Sequence, residues 1–453
     1  MAVTWANDAV FYHVYPLGMC GAPQRNDFHS PSVARLAQLF DWIDHWRYLG
    51  VTALCLGPLF ESTGHGYDTV DYFHVDRRLG DNAVLRELVA ALHGAGIRVV
   101  LDGVFNHTGR DFWAFRDIRQ HGRHSAYRDW YDGVDFRRRS PAGDSFTYNT
   151  WRGAYELPKL NLLHKPVRQH LLEAVDFWIR EFDIDGLRLD ACNLVKAAFL
   201  RELGRHSRKR KPDFWLMGEV VNGNYAPYMK TRGLDSVTNY NAYAGLVSSH
   251  NRHNYVEIAA TLKRQFGSHG VYQGAPLYAF VDNHDVNRIG SRLRRAAHLY
   301  PAHLLLFTMP GVPSLYYGSE WGIKGARSKF SDAALRPAIS RPDPGGMPHA
   351  ALADTISRLS RIRQSLTALR HGNYDELFVQ PEQFAFARHT HDQAVIVALN
   401  AAKQPAQMTL WVPHLSGRVL HDVLNPGDRF QVHGEHVTLE SVPAHWGRIL
   451  IAS

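Results

Sequence analysis

Val51-Thr-Ala-Leu-Cys-Leu56, the amphipathic run from Asn82 to Ala95, and Ile97-Arg-Val-Val-Leu-Asp102 together set the architecture of this 453-residue chain. A short apolar run reads as a strand buried on both faces, and a long run with helical periodicity reads as the helix that covers it. Asn82 is placed to cap that helix. Upstream, Val10 to Leu17 predicts a first strand. Pro31 to Tyr48 predicts a helix, with Val33, Leu36, Leu39, Phe40 and Ile43 at helical spacing. Downstream the rhythm pauses from 108 to 165, a span rich in Arg, Asp, Gly and Tyr and too long for an ordinary connection. It resumes with a helix from Val167 to Phe182, a strand Gly186 to Asp190, a helix after Leu194, a strand Phe214 to Glu219 and a weak strand Ser236 to Asn239. A helix Tyr255 to Phe266, a strand Leu277 to Asp282, a helix Arg292 to Thr308 and a strand Val312 to Tyr317 follow. Eight strand and helix units predict an α/β fold of the (β/α)₈ TIM barrel type. No Gly-x-Gly-x-x-Gly follows the first strand to favour an open dinucleotide-binding sheet.

The last helix spans Ala351 to Arg370. Beyond Asn373 the texture becomes short β segments such as Phe384 to Arg388, Ala394 to Leu399, Gln407 to Val412 and His436 to Leu439, which predicts a C-terminal antiparallel β-sandwich. The expected division is 1–107 for the first part of the barrel, 108–165 for an inserted domain, 166–372 for the second part and 373–453 for the sandwich.

Composition narrows the class. With 45% apolar residues the chain can bury a large core. The net charge of +8 comes from short runs, Arg205 to Lys211 and Arg137 to Arg139, without the long basic stripe that a nucleic acid requires. No stretch reaches the roughly 20 apolar residues of a bilayer span. Met1-Ala-Val-Thr-Trp-Ala-Asn-Asp8 lacks the charged start and apolar centre of a secretory signal. Cys20, Cys55 and Cys192 are odd in number and far apart, so they form no disulfide framework. These features predict a cytoplasmic protein with neither nucleic-acid nor membrane partners.

In such a barrel the chemistry gathers at the carboxyl ends of the strands. Asp102, Asp190, Glu219 and Asp285 fall there, at the ends of the third, fourth, fifth and seventh strands. Within Asp185-Gly-Leu-Arg-Leu-Asp190 the two-residue period turns Arg188 and Asp190 to one side and Leu187 and Leu189 to the other. A guanidinium beside Asp190 lowers its pKa and keeps it ionised as a nucleophile. Trp215-Leu-Met-Gly-Glu219 ends an apolar run in an acid, an environment that raises a carboxyl pKa and suits a proton donor. Asp102-Gly-Val-Phe-Asn-His107 and Val281-Asp-Asn-His-Asp285 add His107 and His284 as hydrogen-bond donors at the same rim. A zinc site would use similar residues, but neither His-Glu-x-x-His nor a tight Cys cluster is present. Absence of a Gly-x-Ser-x-Gly elbow argues against a serine hydrolase.

These four segments, in this order, resemble those of the α-amylase superfamily, glycoside hydrolase family 13. Leu157-Pro-Lys-Leu-Asn161 and Tyr67-Asp-Thr-Val-Asp-Tyr72 resemble its cyclomaltodextrinase, neopullulanase and maltogenic amylase group. The resemblance implies that 108–165 is the family's B domain. It also implies Asp190 as nucleophile, Glu219 as acid and base, and Asp285 as the third catalytic carboxylate. Tyr67, Asp68, His107, Arg188, His284 and Arg288 become substrate-binding residues, and Asn106 a ligand position for a structural calcium. The implied reaction is retaining cleavage of α-1,4-glucosidic bonds in cyclodextrins and malto-oligosaccharides through a covalent intermediate, releasing maltose or glucose, with no cofactor required. Two alternatives stay open. One is a hydrolase or transglycosylase for a cyclic or α-1,6-linked gluco-oligosaccharide; the other is a catalytically silent α-glucan-binding protein.

The sequence departs from the group at three points. The first barrel strand begins near Val10, so dimerisation through the group's N-terminal β-domain is not expected, and the oligomeric state stays open. Ala191-Cys-Asn-Leu194 stands where the group often has Val-Ala-Asn-Glu, so an acid near the acceptor sugars is missing. Val220 replaces the Trp that often follows the proton donor.

Overall fold

The computed structural model describes residues 5–329, 331–341 and 343–452; the first four residues of the amino-terminal segment, Phe330, Pro342 and Ser453 lie outside the described residues. Eight parallel strands form the barrel: β1 (Phe11–Val14), β2 (Ala53–Leu56), β3 (Arg98–Gly103), β4 (Gly186–Leu189), β5 (Trp215–Gly218), β6 (Ser236–Val237), β7 (Tyr278–Phe280) and β8 (Val312–Tyr316). Their spatial order is β6-β5-β4-β3-β2-β1-β8-β7, and a parallel bridge from Thr238 to Tyr278 joins the two ends.

Alternation along each strand makes two apolar layers. Phe11, Cys55, Val100, Trp215, Met217 and Phe280 fill the interior, whereas Tyr12, Leu54, Leu101, Leu187 and Leu216 pack outward under the helices. Burial on both faces explains why these strands read as continuous apolar runs. At Gly186 a Cβ would lie 2.4 Å from the Trp215 carbonyl oxygen, so glycine permits the approach of β4 to β5.

Several elements differ from their sequence expectation. The stretch from Pro31 to Tyr48 is a 3-10 helix (Arg35–Trp42) running into a short α-helix (Ile43–Tyr48). Val33 and Leu36 donate their backbone N–H groups to the Arg77 and Leu79 carbonyls, which ties this segment to a neighbouring loop. The cap of the Asn82–Gly94 helix is Asp81, whose side chain accepts from Val84 N. Asn82 instead accepts from Val75 N and donates to the Phe73 carbonyl, bracing the preceding loop. A helix at Tyr240–Arg252, capped by the Asn239 side chain, precedes the one expected after Tyr255. Helix formation after Arg292 is delayed until Leu299.

The inserted segment leaves β3 and returns at the helix Lys165–Phe182. Its own core is aromatic: the rings of Phe115, Tyr131, Phe146 and Tyr148 lie edge to face or tilted at 4.8–5.8 Å. A two-residue turn joins its hairpin, Thr150–Trp151 with Ala154–Pro158. A bridge between His107 and Lys159 pins the insertion to the end of β3.

Beyond residue 373 a six-stranded antiparallel sheet and a two-stranded one enclose a second apolar cluster that includes Ala385, Ile396, Met408, Leu410, Val437 and Leu450. A group of imidazoles occupies the seam between this sandwich and the barrel. His298 lies 5.4–5.6 Å, ring to ring, from His250, His253 and His445, and its Nε2 is 3.1 Å from the Ala401 carbonyl oxygen. Glu382 and Arg295 face His253, and the Tyr255 hydroxyl faces His250. Burial pushes His250 down to about 3 and His298 to about 4. The unfolded chain therefore binds protons that the folded seam excludes. Stability is full above about pH 6.5 and falls with acidification toward about pH 4. Urea midpoints measured from pH 7 to pH 4 should show this decline, with a flatter profile in His298→Gln; an unchanged slope in the variant would contradict the seam as its source.

Candidate active site

At the carboxyl end of the barrel the side chain of Arg188, on β4 and 3% exposed, lies at the centre of a ring of acids. Its Nη1 donates to both Asp102 oxygens at 2.7 and 2.6 Å. The same nitrogen lies 3.8 Å from Asp190, and Nη2 lies 3.1 Å from Glu219. Asp102 is thus the internal partner that aims Arg188, and Asp190 and Glu219 meet on the guanidinium's remaining edge.

β4 ends directly before Asp190, and the next residue, Ala191, takes a left-handed conformation with φ 44°. Such a backbone costs on the order of 1–3 kcal/mol for a residue other than glycine. Here it turns the Ala191 N–H onto Glu219 Oε2 at 3.0 Å. The Tyr240 hydroxyl donates to the other oxygen, Oε1, at 3.3 Å. Burial, together with the Glu219 charge, pushes the Asp190 carboxyl well above the usual carboxylate range, against the pull of Arg188. Arg188 does lower the Asp190 pKa, as the sequence led one to expect, but the expectation that it thereby holds Asp190 ionised is corrected: one guanidinium does not offset burial among three neighbouring carboxylates.

Asp285 stands in the loop after β7. Burial opposes its charge, yet His284, Arg336 and Arg188 hold it well below the usual carboxylate range. His284 Nε2 lies 3.0 Å from one Asp285 oxygen and Arg336 Nη2 3.2 Å from the other. The segment Val281-Asp-Asn-His-Asp285 is largely self-supporting: Asn283 accepts from Asp285 N at 2.8 Å, and Asp282 accepts from Ile289 N at 2.7 Å and from the Ser319 hydroxyl.

A cleft of about 1150 Å³ opens over these acids, and Tyr67, His107, Asp190, Glu219 and Asp285 line it. Asn106 Nδ2 donates to His107 Nδ1 at 3.1 Å, leaving the imidazole proton on Nε2. That nitrogen is buried without a hydrogen-bond partner, and burial pushes the His107 pKa down to about 3, so the ring is neutral. Tyr67 donates to Asp102 at 3.0 Å, contacts His284 Nε2 and stacks on the His284 ring.

Four of the expected sugar-binding residues stand behind the lining. Arg188 and His284 act on the carboxylates. Asp68 is 8% exposed, beneath His65. Arg288 is fully buried under Tyr316 and Tyr317 and donates to the Tyr317 and Leu335 carbonyls, so it shapes the loop after β8 and does not reach the cleft. Asn106 keeps an unpartnered Oδ1. Calcium takes about six to eight oxygen ligands, commonly several carboxylates. Among the described residues no group of three or more His, Cys, Asp or Glu is arranged to hold a metal.

The sequence matches the alpha-amylase catalytic domain over residues 33–344. The chain belongs to the alpha-amylase family. It is 32% identical to a cyclomaltodextrinase of a Bacillus species over 88% of this chain and 74% of that protein. It is 31% identical to neopullulanase 2 of Thermoactinomyces vulgaris over 96% of this chain and 76% of that one. Among solved structures, the cyclic alpha-maltosyl-(1→6)-maltose hydrolase of Arthrobacter globiformis superposes with a TM-score of 0.83 at 26% identity, covering all of both chains. The chain is accordingly a glycoside hydrolase acting on α-glucans.

Sequence reasoning did not single out Arg336, Tyr15, Tyr240 or Trp151 in this family member's cleft. Arg336 lies 4.5 Å over the Tyr15 ring and within reach of Asp285, but its loop follows β8 without any patterned segment. Tyr240 had a usable signal, as the first residue after the sixth predicted strand. Replacing Arg188 by lysine removes the planar fork that Asp102, Asp190 and Glu219 share. Arg188→Lys should lower kcat by about 100-fold or more, equivalent to about 2.7 kcal/mol, and reduce the melting temperature; wild-type kcat in a folded variant would contradict the arrangement.

Proposed function

We propose that the protein is a retaining hydrolase of α-1,4-glucosidic bonds in cyclodextrins and malto-oligosaccharides, releasing maltose or glucose. The observation that carries this reading is the meeting of Asp190 and Glu219 on the single guanidinium of Arg188. Inverting enzymes hold acid and base about 6.5–9.5 Å apart to admit a water between them, whereas a retaining pair stands at about 5–5.5 Å. Two acids sharing one small cation favour the closer spacing.

In the first step an Asp190 oxygen attacks the anomeric carbon as the bond to the glycosidic oxygen breaks, and Glu219 delivers its proton to that oxygen. In the second step Glu219 takes a proton from water, the water oxygen bonds to the same carbon, and the Asp190 ester breaks. Two inversions restore the α-configuration. Burial raises the Asp190 carboxyl, and positive charge developing at the anomeric carbon favours its anionic form. Asp285, held ionised, suits the ring hydroxyls and the oxocarbenium-like state, with His107 donating to a further hydroxyl. The two carboxyl groups perform both steps without an organic cofactor. A cytoplasmic setting accords with three unpaired, buried cysteines and with the name of one relative, the intracellular maltogenic amylase of Bacillus subtilis.

A second reading is supported by the likeness to the cyclic alpha-maltosyl-(1→6)-maltose hydrolase, 26% identical with a TM-score of 0.83. In that reading the same chemistry acts on a small cyclic, partly α-1,6-linked substrate. Asp190→Asn and Glu219→Gln should each lower turnover by several orders of magnitude with the barrel still folded, and proton NMR should show the α-anomer first. Products compared over γ-cyclodextrin, maltotriose, pullulan and cyclic tetrasaccharides separate the two readings. A β-anomer first excludes the retaining mechanism, and no turnover of any α-glucan leaves a silent binding protein.

A further inference from the structure

A second cavity, of about 100 Å³, lies at the amino-terminal end of the barrel, the end opposite the acids. Its walls are Asn7 ahead of β1, the stretch 273–276 ahead of β7, the stretch 310–312 leading into β8, and the crossing 370–374 from the last helix into the sandwich. Arg388, on the sandwich strand Gln383–His389, completes it. Gln273, His371 and Asn373 among its lining residues are exposed, so the cavity communicates with solvent.

Positive charge gathers here in excess. Arg363 and Arg388 are buried. Arg363 donates to the Phe307, Leu369 and Gly311 carbonyls, and Arg388 to those of Thr308, Leu369, Gly372 and Asn373; among the described residues neither guanidinium is paired with a carboxylate. Carbonyl oxygens at a helix end satisfy hydrogen bonds but bring only about half a negative charge. Burial pushes both guanidiniums down to about 9, and the charge of Arg370 on Arg363 and of Arg363 on Arg388 adds to this. Asp8 acts on Arg363 in the opposite sense, but Arg370 and His371 already engage it. Asp375 and Glu376, on the strand after the crossing, are held by His389 and Lys263.

Unused polar atoms line the same cavity. The Tyr374 hydroxyl, Arg370 Nε and Asn7 Oδ1 are each buried without a hydrogen-bond partner, and all three residues are in its wall. Tyr374 is 1% exposed. Burying such groups unpaired is costly, and three of them at one cavity call for a partner.

Size and chemistry narrow that partner. A cavity of about 150 Å³ accommodates benzene, so this one suits an ion of about five heavy atoms and excludes a hexose. Excess cation selects an anion. Two donors and one acceptor select an anion that also has a proton to give: the oxygens of hydrogen phosphate accept from Arg370 Nε and the Tyr374 hydroxyl, and its own hydroxyl donates to Asn7 Oδ1. Sulfate and chloride have no such proton near neutral pH.

We propose that this cavity is a binding site for hydrogen phosphate, which ties the segment ahead of β1 to the crossing between barrel and sandwich. The ion binds without covalent chemistry and remote from the cleft, so it acts on stability and leaves turnover unchanged.

The test titrates phosphate, sulfate and chloride at matched ionic strength into wild type, Tyr374→Phe and Asn7→Ala by isothermal titration calorimetry. Wild type should bind one phosphate per chain and sulfate about tenfold more weakly. Its melting temperature should rise by about 2 °C or more in saturating phosphate. Tyr374→Phe removes a hydroxyl that bonds to nothing in the free protein, so fold and turnover should stay while phosphate affinity falls about tenfold or more. Asn7→Ala should weaken phosphate about tenfold and sulfate little, so that the preference between the two is lost. Absence of saturable phosphate binding in wild type overturns the site. So does a phosphate affinity unchanged in both variants, which puts the ion elsewhere, and so does sulfate bound as tightly as phosphate.

Discussion

The Arg188 guanidinium is the interaction on which the rest of the site depends. It is buried, it is fixed by both oxygens of Asp102, and its free edge presents a cation to Asp190 and Glu219. Carboxylates brought this close repel one another strongly where water is excluded. The barrel supplies the countercharge from the same strand that leads into Asp190. Period-two geometry aims both side chains inward while Leu187 and Leu189 anchor the strand to the helix layer.

Around that centre each loop adds one constraint. The left-handed Ala191 turns a backbone N–H onto Glu219, and the Asn283 turn with His284 and Arg336 holds Asp285 ionised. Asn106 Nδ2 donates to His107 Nδ1, and burial keeps that imidazole neutral. Asp190 and Asp285 thus occupy opposite electrostatic settings although both are carboxyl groups: Asp190 is driven toward protonation by burial and like charge, whereas Asp285 is held anionic by cations. Separate settings for neighbouring carboxyl groups are what acid–base chemistry on one bond requires.

Much of the frame was legible in the chain because it rests on periodicity. The eight parallel strands are buried on both faces and stand out as apolar runs, and the four rim segments lie at their ends. Elements stabilised by a neighbour were harder to read. The segment after Pro31 turns into a 3-10 helix because its N–H groups are bonded to another loop, and the helix from Tyr240 starts at a cap that resembles a strand end. Asp68, His284 and Arg288 sit in recognisable motifs, yet motif membership does not say whether a side chain lines a cleft or supports one that does.

The sequence by itself determined the barrel, the order of its strands and the identity of the acids at its rim, since these follow from side-chain alternation and from chain order. Only the tertiary structure decided which charges share a guanidinium, which way burial and neighbours shift Asp190 and Asp285, and which aromatic rings line the cleft. Those properties arise from distance and burial between residues far apart in the chain: Asp102 and Arg188 are 86 positions apart yet hydrogen-bonded. A linear pattern contains neither the dielectric around a carboxyl group nor the neighbour that occupies the face of a ring.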